Sequence, residues 1–214
     1  MKDKRGRTAR RKERTAAVDS SMFESHHVSR HYEKRRQQSQ RKGKGRWTPA
    51  ANRRRSRVVK HLPKLSLAVH AASHLILAAR ASTGMGSDHR HFVPLLLDAA
   101  KHLSLEFALA DAGYDSEDNH RFARQELFIR SVIPATIGRP GADGPKGYYR
   151  RLMRRRFKGS PDKDHYGQRW QAETVNSMIK RNLGSACRAR TPVGRKKDMM
   201  LRAVTHNVMI LANL

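Results

Sequence analysis

A mixed α/β sheet with helices on its faces is the fold class this sequence predicts. Three observations point to it. Strand-like apolar patterns come first, strand and helix patterns then alternate, and two long helical patterns close the chain. At 214 residues the chain is long enough for one domain with a substantial core.

The elements follow in order. Residues 1–14 are nearly all polar and basic, a composition that cannot bury enough apolar surface to order itself, so a disordered arm is expected there. The folded domain is expected over residues 15–214. It opens with the less basic segment Thr15-Ala16-Ala17-Val18-Asp19-Ser20-Ser21-Met22-Phe23, in which Asp19 ends an apolar run. Residues 30–60 carry Arg41-Lys42-Gly43-Lys44-Gly45-Arg46 and Arg53-Arg54-Arg55 without periodicity and are expected to be a basic loop. Leu65, Leu67 and Val69 alternate with Ser66, Ala68 and His70, as in a strand. After a turn at Ala72-Ser73-His74, the run Leu75 to Ala79 predicts a second strand. Asp88 stands where a helix N-cap belongs, ahead of Phe92, Leu95, Leu96 and Ala99 at helical spacing. Phe107-Ala108-Leu109-Ala110 predicts a short buried strand running into Asp111-Ala112-Gly113-Tyr114, and Ser116 is placed to cap a helix over 117–126. Ser131 to Pro134 predicts another strand, and the Gly-, Pro- and Arg-rich stretch 138–165 a basic loop. Helices are expected over 167–183 and 195–212, with Met199, Met200, Val204, Val208 and Leu211 in the core.

Charge bounds the partner. Forty-six Lys and Arg face 18 Asp and Glu, a net charge of +28. A folded domain tolerates such self-repulsion most readily when it works against a polyanion, so nucleic acid is the default partner. No apolar run reaches the length of a membrane span, the basic N-terminus lacks a signal-peptide core, and no membrane partner is expected. The single cysteine, Cys187, fits a reducing interior and leaves no internal disulfide or cysteine zinc site. The histidines His26, His27, His31, His70, His74, His89 and His91 match no zinc spacing. A basic protein that only neutralises phosphate would share this composition.

The segment Tyr166-x2-Arg169-x3-Glu173-x6-Lys180 says more. On a helix these four residues fall within about 60° of one another, opposite the apolar Val175, Met178 and Ile179. One helix thus carries a buried face and a separate stripe of one carboxylate, two cations and a phenol. Asp19 and Asp111 end apolar runs, and reactive groups in open α/β sheets gather beyond strand ends. Three hard oxygen donors converging there suit Mg²⁺ or Mn²⁺, and two such ions suit in-line phosphoryl transfer. Each carboxylate also has a plainer reading. Asp19 fits a turn or cap, Asp111 fits the turn chemistry of Ala-Gly, and Glu173 fits a surface ion pair with Arg169 four residues earlier. Arg150, Arg151, Arg154, Arg155 and Arg156 are densest just before the glutamate helix, where phosphate would relieve their repulsion. Tyr148, Tyr149 and Trp170 are suited to stacking on bases, and Trp170 equally to packing at its helix's edge.

Ala110-Asp111-Ala112-Gly113-Tyr114-Asp115-Ser116 followed by Tyr166-x2-Arg169-x3-Glu173-x6-Lys180 resembles the catalytic half of a bacterial insertion-sequence transposase of the DDE class. Val18-Asp19-Ser20-Ser21, Thr83-Gly84-Met85-Gly86-Ser87-Asp88, Ile133-Pro134, Ile179 to Gly184 and His206-Asn207 are similar to that family in the same order. The resemblance implies a ribonuclease H-like fold with Asp19 and Asp111 on neighbouring strands and Glu173 on a helix. It implies that these three bind two Mg²⁺ or Mn²⁺ ions and catalyse DNA strand cleavage and strand transfer during transposition of an insertion sequence. Tyr166, Arg169 and Lys180 would engage the DNA near the cleaved phosphate, with Arg154, Arg155 and Arg156 as further DNA contacts. The expected partner is double-stranded DNA, at the element's ends and at the target, in the bacterial cytoplasm on the nucleoid. Family members carry a helical N-terminal domain ahead of the first aspartate, whereas Asp19 comes almost at once here. Further partners left open are therefore a separate upstream N-terminal polypeptide and a second copy of the chain. The alternative function is a truncated, catalytically inactive DNA-binding relic of such a transposase.

Overall fold

The computed structural model describes residues 13–25, 63–83, 86–136, 144–159 and 165–213. The expected arm over 1–14 and loop over 30–60 fall almost wholly outside the described residues. Seven strands are present among them: β1 (Thr15–Met22), β2 (Glu24–Ser25), β3 (Pro63–His70), β4 (Ile76–Thr83), β5 (Phe107–Ala110), β6 (Arg130–Val132) and β7 (Ala186–Cys187). The helices are α1 (His89–Ala100), α2 (Glu117–Arg121), α3 (Tyr148–Gly159), α4 (Trp170–Leu183) and α5 (Pro192–Leu211).

Five strands make one sheet in the order β4-β3-β1-β5-β6, while β2 and β7 form a separate parallel pair. β1 and β3 are antiparallel, as are β3 and β4, whereas β5 and β6 run parallel to β1. The sheet is therefore mixed and covered by helices, the ribonuclease H-like architecture that the resemblance implies.

Side-chain alternation along the strands sorts the core into layers. Ala16, Val18, Ala68, Ala108 and Ala110 pack with Phe92, Leu95, Leu96 and Ala99 of α1. On the opposite face Ala17, Leu65, Leu67 and Val69 pack with Ala172, Val175 and Ile179 of α4 and with Met199 and Ala203 of α5. The small residues of β1 and β5 let α1 lie close to the sheet. Asn207 of α5 donates to the Ile76 carbonyl at 2.8 Å and accepts from the Ile76 amide at 2.8 Å, pinning α5 to the edge strand. An edge strand otherwise leaves such groups open to stray pairing.

Several sequence expectations need correction. β4 runs on to Thr83, beyond the apolar run that predicted it. β6 stops at Val132, before Pro134, which has no N–H for a ladder. Asp88 has helical dihedrals and makes no cap hydrogen bond, because its carboxylate pairs at 2.6 Å with the buried Lys64 ammonium. Ser116 likewise makes no side-chain cap, and the helix after it turns from α to π at Phe122. The expected loop 138–165 contains the whole of α3, where only a thin inner edge including Met153 and Phe157 faces the core. The last helix starts earlier than predicted, at Pro192, with Thr191 accepting from the Gly194 amide at 3.0 Å as N-cap. Met199 is buried as expected, whereas Met200, Val204, Val208 and Leu211 are exposed.

Candidate active site

Strand parity places the first two carboxylates. Ala17 faces the α4 layer, so Asp19, two residues on, faces it too. Asp19 does not end its strand: it lies within β1, opposite Leu67 of β3. What ends there is the pairing to β5, whose last register pair is Val18 with Ala110. The next residues on the two parallel strands are Asp19 and Asp111. Phe107 and Leu109 point away from the α1 layer, and Asp111 continues their parity. Two carboxylates therefore stand side by side on the same face of the sheet, where β1 outruns its neighbour.

Their environments differ. Asp111 caps a short 3-10 turn over Ala112–Tyr114, and its Oδ1 accepts from the Gly113 amide at 2.9 Å. This is the turn role that the local sequence allowed, and it also fixes the carboxylate. Asp19 is half-buried, and one of its oxygens accepts from Asn176 Nδ2 of α4 at 3.0 Å. Burial pushes the Asp19 carboxyl above its usual range, and the charge of Asp111 pushes it the same way. The Ser20 amide, Arg169 and Asn176 pull it back only in part. A half-buried carboxylate beside another is a site that a divalent cation would relieve.

Glu173 sits in the first turn of α4, opposite Val175 and Ile179, as the helical spacing predicts. Its Oε1 is held by Arg169, the plainer partner foreseen for it. The Glu173 side chain is 53 % exposed, so this pair is screened and is worth no more than about 1 kcal/mol. Among the described residues, no three Asp, Glu, His or Cys side chains lie together as one ready-made ligand set. Asp19 and Asp111 are thus neighbours in register, while Glu173 lines the cleft with Asp19 and is paired with Arg169.

Tyr166 and Arg169 precede α4 rather than belonging to it, because Gly167–Arg169 is a 3-10 turn. The stripe survives, since three residues make a full 3-10 turn and bring Arg169 back under Tyr166. The Arg169 guanidinium lies 5.7 Å from the Tyr166 ring centroid, and the ring also packs on Phe157 at 5.1 Å. Lys180, two turns beyond Glu173, lies 5.6 Å from the Phe23 ring centroid. A cleft of about 520 Å³ is lined by Asp19, Glu173, Asn176, Lys180 and Arg181, with Ser21, Ser177 and Ser185.

Arg154 and Arg155 lie elsewhere. They line a second cleft of about 700 Å³ with Lys146, Tyr148 and Arg151 at the outer face of α3. Arg156 is only partly exposed on that helix. Trp170, the first residue of α4, is 53 % exposed.

A family model described as a transposase DDE domain matches residues 10–208. The chain belongs to that family. No curated protein matches this transposase domain. The match spans both aspartates, Glu173 and the sheet that carries them. DNA transposition accounts for the net charge of +28 and for the cationic side chains around the carboxylates. Among the described residues, no helix is long and apolar enough to cross a membrane.

Two groups of this transposase domain escaped the sequence reading. One is Asn176, which helical spacing puts within about 20° of Arg169 and so on the polar stripe, where an amide beside charges gave no signal. The other is a clamp on α3. Asp115, whose side chain has no exposure, takes Arg150 Nη2 at 2.7 Å and Nε at 2.8 Å, and the Thr136 amide at 2.8 Å. His120 Nε2 stands 3.6 Å from its other oxygen. Glu117 caps α3 through the Tyr149 amide at 3.0 Å and the Arg150 amide at 3.1 Å. Gly147 turns into the helix with φ of 100°, and any Cβ there would meet the Glu117 carboxylate at 2.2 Å. The clamp ties the Arg-rich helix to the loop that carries Asp111.

Proposed function

We propose that this transposase domain catalyses metal-dependent DNA strand cleavage and strand transfer in the transposition of a bacterial insertion sequence. The observation that carries the proposal is the juxtaposition of Asp19 and Asp111 in adjacent register, facing the helix that bears Glu173. The donor set fits a hard divalent cation, because it consists of carboxylates and a side-chain amide in place of thiolate or imidazole. Asp19, Asp111 and Glu173 would hold two Mg²⁺ or Mn²⁺ ions. Such ions supply Lewis-acid stabilisation of the attacking and leaving oxygens in phosphoryl transfer.

The chain's own residues bind and orient the DNA. Arg169 is suited to a bidentate grip on a phosphate, and Lys180 to a point charge at the cleft. Burial pushes the Tyr166 phenol up, so it stays a neutral hydroxyl able to donate to a phosphate oxygen. A phosphate arriving at Arg169 competes with Glu173 for the guanidinium. The exposed Glu173–Arg169 pair is weak enough for that exchange, which frees Glu173 to join the aspartates. In the first reaction a water oxygen displaces the bridging 3′ oxygen of a phosphodiester at the element's end and leaves a 3′-hydroxyl. That hydroxyl then displaces a bridging oxygen in target DNA, with no protein nucleophile required. Arg154, Arg155 and Arg156 on α3 carry the flanking duplex, in proximity to a nucleoid-bound target.

The Glu173–Arg169 pair also favours a second reading, that of a DNA-binding relic in which Glu173 has only a structural partner. Incubating the full chain with a supercoiled plasmid carrying the DNA that flanks its gene separates the two. Nicking that requires Mg²⁺ and stops with EDTA supports catalysis. Salt-sensitive binding without nicking supports the relic.

A further inference from the structure

We infer that Asn176 is a positioning residue of the metal site, holding one oxygen of Asp19 so that the other is presented to the cation. The inference rests on the proposed metal-dependent function and adds a residue to it. Asn176 lies one turn beyond Glu173 on α4, is 5 % exposed, and lines the cleft with Asp19, Glu173 and Lys180. Its Nδ2 donates to Asp19 Oδ2 at 3.0 Å, across 157 residues of sequence. With the Ser20 amide, this hydrogen bond restrains the Asp19 carboxylate.

The other half of the amide is the telling part. Asn176 Oδ1 is buried and has no hydrogen-bond partner. A buried unpaired acceptor costs roughly 1–3 kcal/mol, and folded proteins retain very few of them. The amide cannot be turned to relieve the cost, because its oxygen would then face the Asp19 carboxylate. The unpaired oxygen is therefore an acceptor kept for something that enters the cleft, and hydrated cations bring donors of the right kind through their bound water. Residues that orient a ligating carboxylate in this way typically change metal affinity ten- to hundredfold when removed.

The test is Mn²⁺ binding to the full chain, read by electron paramagnetic resonance of the free ion, alongside melting temperature and DNA affinity in EDTA. Asn176→Leu and Asn176→Ala should each weaken Mn²⁺ binding ten- to hundredfold and leave metal-free DNA affinity unchanged. Asn182→Ala, on the exposed side of the same helix, should bind Mn²⁺ like the wild type. Two substitutions guard against one that fails to fold, since the first keeps a branched side chain of the same heavy-atom count and the second truncates it. Affinity within about fivefold of the wild type in a folded Asn176 variant overturns the inference, as does a loss confined to melting temperature. Asp19→Asn separates the two levels. Mn²⁺ binding lost in Asp19→Asn but kept in Asn176→Ala defeats the inference alone, whereas a wild type that binds no Mn²⁺ defeats the proposed function with it.

Discussion

Asp115 offers the most quantitative test of how the domain is held together. Burial opposes its charge, but His120, the two Arg150 nitrogens on Oδ2 and the Thr136 amide outweigh it and bring the carboxyl from 3.8 down to about 2. A carboxylate depressed in the folded state contributes stability that is fully present above pH 3.8 and is lost as pH falls toward 2. At about 1.36 kcal/mol per pH unit, a difference of nearly two units corresponds to about 2 kcal/mol at pH 7. Near pH 3 about half of that remains. Asp115→Asn keeps the shape and an acceptor but loses the charge, so it should lower stability by about 2–3 kcal/mol at neutral pH. For a domain of this size that is a fall in melting temperature of roughly 5–10 °C. Differential scanning calorimetry or circular dichroism between pH 3 and pH 7 measures it directly. A variant that melts with the wild type at pH 7, or a gap that does not narrow toward pH 3, would refute the reasoning.

Asp19 should behave with the opposite sign. Its folded carboxyl is raised above 3.8, so its ionisation costs stability once the pH exceeds that value. Metal-free Asp19→Asn should melt above the wild type at pH 7, with the advantage vanishing below pH 3.8, while saturating Mn²⁺ should reverse the order; equal melting with and without Mn²⁺ in both proteins would contradict this. The double substitution Arg154→Ala with Arg155→Ala should weaken duplex DNA binding across sequences. It should also flatten the salt dependence of log K by up to about 0.9 for each phosphate no longer neutralised. An unchanged salt slope in fluorescence anisotropy titrations would remove α3 from the DNA path.

The parts of the fold legible in the sequence were those written in side-chain period. Leu65, Leu67 and Val69 alternate and form a strand; Val175 and Ile179 follow helical spacing and face the sheet. Helix α3 was invisible because Tyr148–Gly159 has the composition of a solvated charge run, and its order comes from tertiary contacts: Glu117 at its N-terminus, Asp115 on Arg150 and the burial of Met153. Asp88 and Ser116 illustrate the converse, since each has the right residue type for a cap and makes none. Local chemistry named them, but Lys64, twenty-four residues away, decided the fate of Asp88. The outer side of α5 carries apolar residues at helical spacing that face solvent, so periodicity alone assigned Met200, Val204, Val208 and Leu211 to the wrong side. At the site, Glu173 was named by its fixed spacing from Tyr166, Arg169 and Lys180, and Asp111 by its place after the apolar run Phe107 to Ala110. The adjacency of Asp19 to Asp111 depended on the register of β1 against β5, which a single strand cannot encode.

The central claim is that Glu173 completes a metal-dependent site with Asp19 and Asp111. Its most direct test is Glu173→Gln, which preserves shape and the hydrogen bond to Arg169 while removing a metal-binding charge. In a Mg²⁺-dependent cleavage assay on end-bearing plasmid, the account predicts strand cleavage by the wild type and a loss of at least about a hundredfold in the variant, with DNA affinity nearly unchanged. Full Mg²⁺-dependent cleavage by the Glu173→Gln protein would contradict it.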